Sequence, residues 1–208
     1  MEKYFNWKET IVESELEEMA KSLRSGKIAI FPTETVYGIG TNAFCANSVG
    51  KIYEIKKRPH NKPINVLVSN FDMIKEVARD ISPLEEKLIK NFFPGPLTII
   101  LKKNENVPAN VTSSGDTIGV RMPQNDIALK IIEKAGIPLA TTSANYSGEE
   151  SLSDYEMIKN KFPADVDYLI NGGKSKIGIA STIIKVEDEK IKILRQGSIT
   201  KEELDNIK

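Results

Sequence analysis

Cysteine is almost missing from this chain. Cys45 stands alone among 208 residues, which excludes an internal disulfide and any zinc site built on several thiolates. Histidine is equally scarce: His60 is the single imidazole. A Ser-His-Asp triad would need that one residue, held in a proline-flanked basic turn, and neither H-E-x-x-H nor H-x-E with C-x-x-C occurs. Hydrolase and zinc-enzyme chemistries fall away. No G-x-x-x-x-G-K-[ST] is present, and the glycine pair Gly172-Gly173 lacks the spacing of a dinucleotide fingerprint. Lys plus Arg equals Asp plus Glu at 29 each, so no global charge draws the chain to nucleic acid or an anionic membrane. No apolar run approaches the roughly 18 residues of a membrane span, and the opening MEKYFNWKET lacks the apolar core of a secretory signal. The expectation is a soluble, cytoplasmic protein with no membrane partner, neither secreted nor anchored.

What remains is a chain with 40% hydrophobic residues, enough for one sizeable core and a single domain over residues 1–208. Its organising stretch runs from Phe31 to Pro63. Lys27 to Phe31 is a short apolar run stopped by Pro32, which cannot serve a central ladder. After it, Thr33, Glu34, Thr35 and Tyr37 crowd polar groups into five positions, while Gly38 and Gly40 permit close backbone approach. This is either a functional turn or an ordinary polar strand-to-loop junction. A helix follows, with Asn47 or Ser48 as its cap, Val49, Ile52 and Tyr53 on one face, and an end near Lys57. Lys51 to Lys62 holds five Lys or Arg against one Glu. Lys56, Lys57 and Arg58 are either charges at a helix C-terminus or, stiffened by Pro59 and Pro63, a phosphate pocket.

Helices and strands then alternate. Helices are expected over 14–24, 71–77, from Ser82-Pro83, over 125–135 before Gly136, from a Ser153/Glu156 capping box, and from Thr200 with Glu203. Strands are expected over 64–68, 97–101, 117–121, 138–140 and 166–170, with a hairpin of 181–186 and 190–194 around Glu187-Asp-Glu189. The fold class is α/β with a twisted mixed parallel and antiparallel sheet flanked by helices. Polar residues recur where strands end, at Thr33 to Tyr37, Arg121, Thr141 to Asn145 and Arg195, so strand ends are expected to converge on one concave face. Arg121 would either fork onto a carboxylate or phosphate or form a surface ion pair. Thr141-Thr-Ser-Ala-Asn-Tyr-Ser-Gly148 would either bind ribose, phosphate or a base edge or close a self-bonded turn. A site of Lys, Arg, Ser, Thr and Asn orients polyanions but offers no strong nucleophile, which suits a reaction where one substrate attacks another.

Six blocks occur in register: P-T-E-T-V-Y-G-I-G, K-K-R-P-x-N-K-P, T-I-G-V-R-M-P, T-T-S-A-N-x-S-G, S-T-I-I and L-R-Q-G-S-I. Together they resemble the YrdC-like threonylcarbamoyl-AMP synthase family, in its short form without a further C-terminal domain. The resemblance implies a YrdC-like fold with a concave basic cleft. It also implies a nucleotidyltransferase condensing L-threonine, bicarbonate and ATP, with Mg²⁺ mainly on the phosphates, into threonylcarbamoyl-AMP and pyrophosphate. A separate tRNA threonylcarbamoyl transferase would pass the group to adenosine 37, and a contact with tRNA is expected. Carried over by motif, Lys56 and Arg58 would hold the triphosphate as catalytic residues. Lys62, Thr117, Ser143, Asn145, Ser151 and Arg195 would complete the nucleotide site, and Thr35, Arg121, Thr141 and Ser181 would hold threonine. Two positions depart from the pattern: Lys62 stands where asparagine is frequent, and Leu67 where relatives often carry a histidine. The alternatives are an RNA-binding module using the same basic cleft without turnover and a carbamoyl-transfer domain like that of hydrogenase-maturation proteins. Zero net charge and few aromatics in the basic stretch weigh against the first, and absent acylphosphatase and zinc-finger segments against the second.

Overall fold

The computed structural model describes residues 3–207. Its elements run β1 (Lys3–Asn6), α1 (Glu13–Arg24), β2 (Ala29–Phe31), β3 (Gly38–Asn42), α2 (Ala46–Ile55), β4 (Asn65–Leu67), α3 (Phe71–Val77), β5 (Ala78–Arg79) and α4 (Pro83–Phe92). There follow β6 (Leu97–Lys103), β7 (Thr117–Arg121), α5 (Asp126–Ala135), β8 (Leu139–Ser143), α6 (Tyr155–Lys161), β9 (Tyr168–Asn171), β10 (Thr182–Glu187), β11 (Lys190–Arg195) and α7 (Lys201–Asp205). One mixed sheet takes the order β1-β9-β2-β3-β8-β4-β7-β6-β10-β11, with β5 beside β6. The pairs β1/β9, β2/β9, β4/β7 and β6/β10 are parallel, and β2/β3, β3/β8, β4/β8, β6/β7 and β10/β11 antiparallel.

The helices follow from their periodicity. Leu16, Met19, Ala20 and Leu23 recur at helical spacing and are the buried side of α1, which packs on α5 and β3. Ser82 and Glu85 form a reciprocal capping box with Pro83 at the first position of α4, and Thr200 with Glu203 does the same for α7. Gly136 ends α5 at φ 64°. Two expected caps are corrected. Helix α2 begins earlier than expected, with Cys45 at its cap two residues before Asn47 and no side-chain bond there. Asn42 Oδ1 instead closes the preceding turn on the Phe44 N–H, and Ser48 pairs with Cys45 Sγ inside the first turn. Helix α6 is capped by Asp154, not Ser153, because the Ser153 carbonyl is taken by the Ser175 N–H and keeps that residue extended. Three further strands went unexpected: β1, the two-residue β5, and β3, which lies in the stretch read as a turn. Among the described residues no helix is long and apolar enough to cross a membrane.

Alternation gives the sheet two chemically different faces. Register pairs Thr41 with Ala140, Ala140 with Val66, Val66 with Val120 and Val120 with Ile99, so these point to one side and are buried. The intervening residues point the other way: Gly38 beside Ser143, Gly40 beside Thr141, Thr141 beside Asn65, and Leu67 beside Arg121. A slip of one residue would exchange the two sets. Polar residues placed every second position therefore meet on a sheet face.

Candidate functional site

That polar face carries a cavity of about 420 Å³. The sheet supplies Asn65 and Leu67 from β4, Thr98 and Ile100 from β6, Arg121 from β7, and Thr141 and Ser143 from β8, each pair two residues apart. Loops close the rim with Thr33, Thr35, Val36 and Tyr37, Arg58, Asn61 to Pro63, and Ala180 with Ser181, while Leu194 and Arg195 come from the last strand. Strand ends meet here as expected, with Thr33, Thr35 and Tyr37 after β2, Arg121 at the end of β7, Thr141 to Ser143 at the end of β8 and Arg195 at the end of β11, while side chains from β4 and β6 extend the site across the sheet. Gly119 keeps the floor open, since a Cβ there would stand 2.3 Å from Asn65 Oδ1.

Of the residues expected from sequence, Thr35, Arg58, Lys62, Arg121, Thr141, Ser143, Ser181 and Arg195 line this cavity. Lys56 and Asn145 stand behind it. Lys56 is 1% exposed, and its ammonium donates to the carbonyl oxygens of Ser143 and Asn145. Burial first, and Arg58 second, push its pKa down to about 7. Asn145 closes its own turn, its amide donating to the carbonyls of Tyr146 and Glu149. The self-bonded reading of that segment thus describes Asn145, while Ser143 faces the cavity. Thr117 and Ser151 do not line the cavity. Thr117 precedes Arg121 by four strand residues, or about 13 Å at ~3.3 Å per residue, and Ser151 stands one residue before Leu152, whose carbonyl accepts from the N–H of the lining residue Tyr37.

Each arginine is held before any ligand arrives. Arg58 donates through Nε to the Lys62 carbonyl at 3.0 Å and through Nη2 to that of Pro63 at 2.8 Å. Arg195 donates Nε and Nη2 to the Ser181 carbonyl and Nη2 to the Ser181 hydroxyl at 3.1 Å. The same hydroxyl meets Thr98 Oγ1 at 2.8 Å, so Ser181 is fixed from two sides. Arg121 donates Nε to the Gly95 carbonyl and Nη1 to Thr35 Oγ1 at 2.9 Å. Its Nη2 lies 2.7 Å from Glu34 Oε2. That contact is a buried ion pair rather than an aligned hydrogen bond, because neither Glu34 oxygen nor Arg121 Nη2 has a partner of hydrogen-bond geometry. Burial lowers the pKa of all three arginines, opposed by Glu34 at Arg121 and reinforced at Arg195 by Arg121 and Arg58. Such mutual repulsion favours anionic ligands.

Sequence reasoning left Glu34, Asn65 and Thr98 without a role. Thr98 had a visible signal, a lone hydroxyl inside the apolar run Leu97-Thr-Ile-Ile100. Glu34 lay inside the first motif, but its pairing with Arg121 depends on tertiary structure. His60 stacks on Tyr53 with ring centroids 4.9 Å apart and does not line the cavity.

The Sua5/YciO/YrdC family, described under telomere recombination, matches residues 21–197. A threonylcarbamoyl-AMP synthase of Pyrococcus abyssi is 39% identical over 202 residues, which are 97% of this chain and 59% of that protein. A Methanocaldococcus jannaschii protein, provisionally named for the same activity, is 44% identical over 184 residues, covering 88% of this chain and 86% of its own. The crystal structure of P. abyssi Sua5 complexed with L-threonine superposes with a TM-score of 0.95 at 38% identity, over 99% of this chain and 60% of that one. This chain thus spans about three fifths of the length of the P. abyssi relatives it matches.

Proposed function

This chain belongs to the Sua5/YciO/YrdC family, and on that premise we propose that it is an L-threonylcarbamoyladenylate synthase. L-Threonine, bicarbonate and ATP would condense to threonylcarbamoyl-AMP and pyrophosphate, for transfer to adenosine 37 of tRNA by a separate enzyme in the cytoplasm. One observation carries the reading. The cavity gathers Arg58, Lys62, Arg121 and Arg195 with the hydroxyls of Thr35, Thr141, Ser143 and Ser181, and no acidic side chain lines it. Such a wall aligns two anionic reactants and leaves bond formation to them.

In this reading the threonine carboxylate sits on Arg121, near Thr35 and Ser181. Its amine attacks carbon dioxide derived from bicarbonate to give a carbamate, losing a proton. A carbamate oxygen then attacks the α-phosphorus of ATP and pyrophosphate departs, its charge met by Arg58, Lys62 and Arg195. Lys56 acts from behind, keeping the end of β8 in place. Leu67, Ile100 and Ile183 form an apolar wall for the amino-acid side chain. No group of three or more His, Cys, Asp or Glu able to hold a metal lies among the described residues. A magnesium ion would therefore arrive on the phosphate oxygens, and no step is assigned to it. A contact with tRNA belongs to the same reading, on the exposed Lys51 and Lys57 beside the cavity; an RNA-binding role without turnover finds no support in the named relatives.

The test is pyrophosphate release by the purified protein. Release requiring threonine, bicarbonate and ATP together supports the synthase, whereas release without threonine, or none with all three present, overturns it.

A further inference from the structure

Four cationic side chains line the cavity, and only one of them is matched. Among the described residues, ion pairing reaches Arg121, through Glu34, and leaves Arg58, Lys62 and Arg195 without a carboxylate. Glu34 is as buried as its partner, at 4% of side-chain exposure against 8%. Its oxygens receive no hydrogen bond. An unneeded charge in such a place would be costly, since burial penalises it and Arg121 Nη2 at 2.7 Å is its single compensating group. Nor does Glu34 anchor Arg121 alone: Gly95 and Thr35 already fix the Nε and Nη1 positions. What the carboxylate adds is charge.

We propose that Glu34 is a specificity-determining residue, which neutralises Arg121 so that the cavity sorts a zwitterionic amino acid from a polyanionic phosphate. The assignment rests on the functional reading above and deepens it. An unpaired arginine attracts any anion in proportion to its charge, so a triphosphate or pyrophosphate would outcompete a monocarboxylate at every cation in the cavity. Beside the Arg121–Glu34 pair the long-range attraction is weakened. What remains is a local dipole, with guanidinium N–H groups for a carboxylate and a negative end that tolerates an ammonium. Amino acids carry both groups. Phosphates are directed to Arg58, Lys62 and Arg195, where no carboxylate opposes them. Glu34 does not line the cavity, so it works through Arg121 rather than by touching substrate.

Calorimetric binding of inorganic pyrophosphate and of L-threonine, separately and in competition, tests this without turnover. In the wild-type protein, pyrophosphate at ten times its own Kd should shift the apparent threonine Kd less than twofold. In Glu34→Gln, pyrophosphate should also occupy Arg121 and weaken threonine about tenfold, as competition at that ratio requires. Glu34→Asp keeps the charge and should behave as wild type. Direct competition in the wild-type protein overturns the assignment even where Glu34→Gln fails to fold. So does a Glu34→Gln protein that discriminates like wild type, or a Glu34→Asp protein that loses discrimination as fully as Glu34→Gln. Absence of threonine binding by the wild-type protein overturns the functional reading as well; threonine binding with pyrophosphate competing overturns this assignment alone.

Discussion

Lys56 shows what burial does to one lysine of a basic motif. An ammonium with 1% exposure is no solvated helix-end charge, and its two carbonyl partners turn it into a brace between the end of α2 and the end of β8. Its effect on stability has a definite sign. The folded-state pKa of about 7 lies below the ordinary lysine value of 10.5, so between these limits the unfolded chain binds more protons and stability rises with pH. Below pH 7 both states are charged and the penalty is complete. Urea midpoints of wild type should therefore climb from pH 7 to pH 10 relative to Lys56→Met; parallel curves would contradict the burial. Arg58 differs, because it lines the cavity while its own loop carbonyls hold it. Arg58→Ala should abolish pyrophosphate release yet unfold cooperatively, with a midpoint within about 1 kcal/mol of wild type. Retained turnover would remove Arg58 from the reaction.

At the scale of elements, the site depends on strands β4, β7 and β8 keeping their register. Gly119 is the sensitive point, because its missing side chain is the space that Asn65 fills, with Thr98 Cγ2 also 3.2 Å from where a Cβ would stand. Gly119→Ala should cost about 1–3 kcal/mol through overpacking and lower kcat/KM at least tenfold by displacing the cavity floor. Urea titration and steady-state kinetics check both, and a fully active variant would show that Asn65 moves freely. Ser82→Ala makes the contrast: it removes a capping box far from the cavity and should cost about 1 kcal/mol with kcat/KM unchanged. Elements such as α1, α4, α5 and the β10/β11 hairpin were legible because local signals specify them, namely apolar spacing, caps, a left-handed glycine and a polar turn. Strand β3 was not, since Gly38 and Gly40 read locally as a turn; they are strand residues because Thr141 fills the space above them. The cluster of Thr35, Arg121, Thr141 and Ser181 was legible from motifs. That it lies across a sheet face required register, which no single segment contains.

For the molecule as a whole, neutrality conceals an uneven field. The chain has equal numbers of acidic and basic residues, yet Arg121 and Arg58 are close enough to depress the proton affinity of Arg195 where burial already does so. The ligand-free fold therefore carries a repulsion that an anion relieves, and binding only to the folded state must stabilise it by mass action. Pyrophosphate at one hundred times its Kd should contribute about 2.7 kcal/mol, which in a chain of this size raises the melting temperature by roughly 5–10 °C. Sodium chloride at matched ionic strength should give a much smaller rise, because screening weakens the repulsion without supplying a ligand for the fixed N–H groups. Arg195→Ala should lose most of the pyrophosphate increment but little of the chloride one. Thermal unfolding under the three conditions separates these effects, and equal shifts with chloride and pyrophosphate would mean that the cavity screens charge generally rather than holding a phosphate.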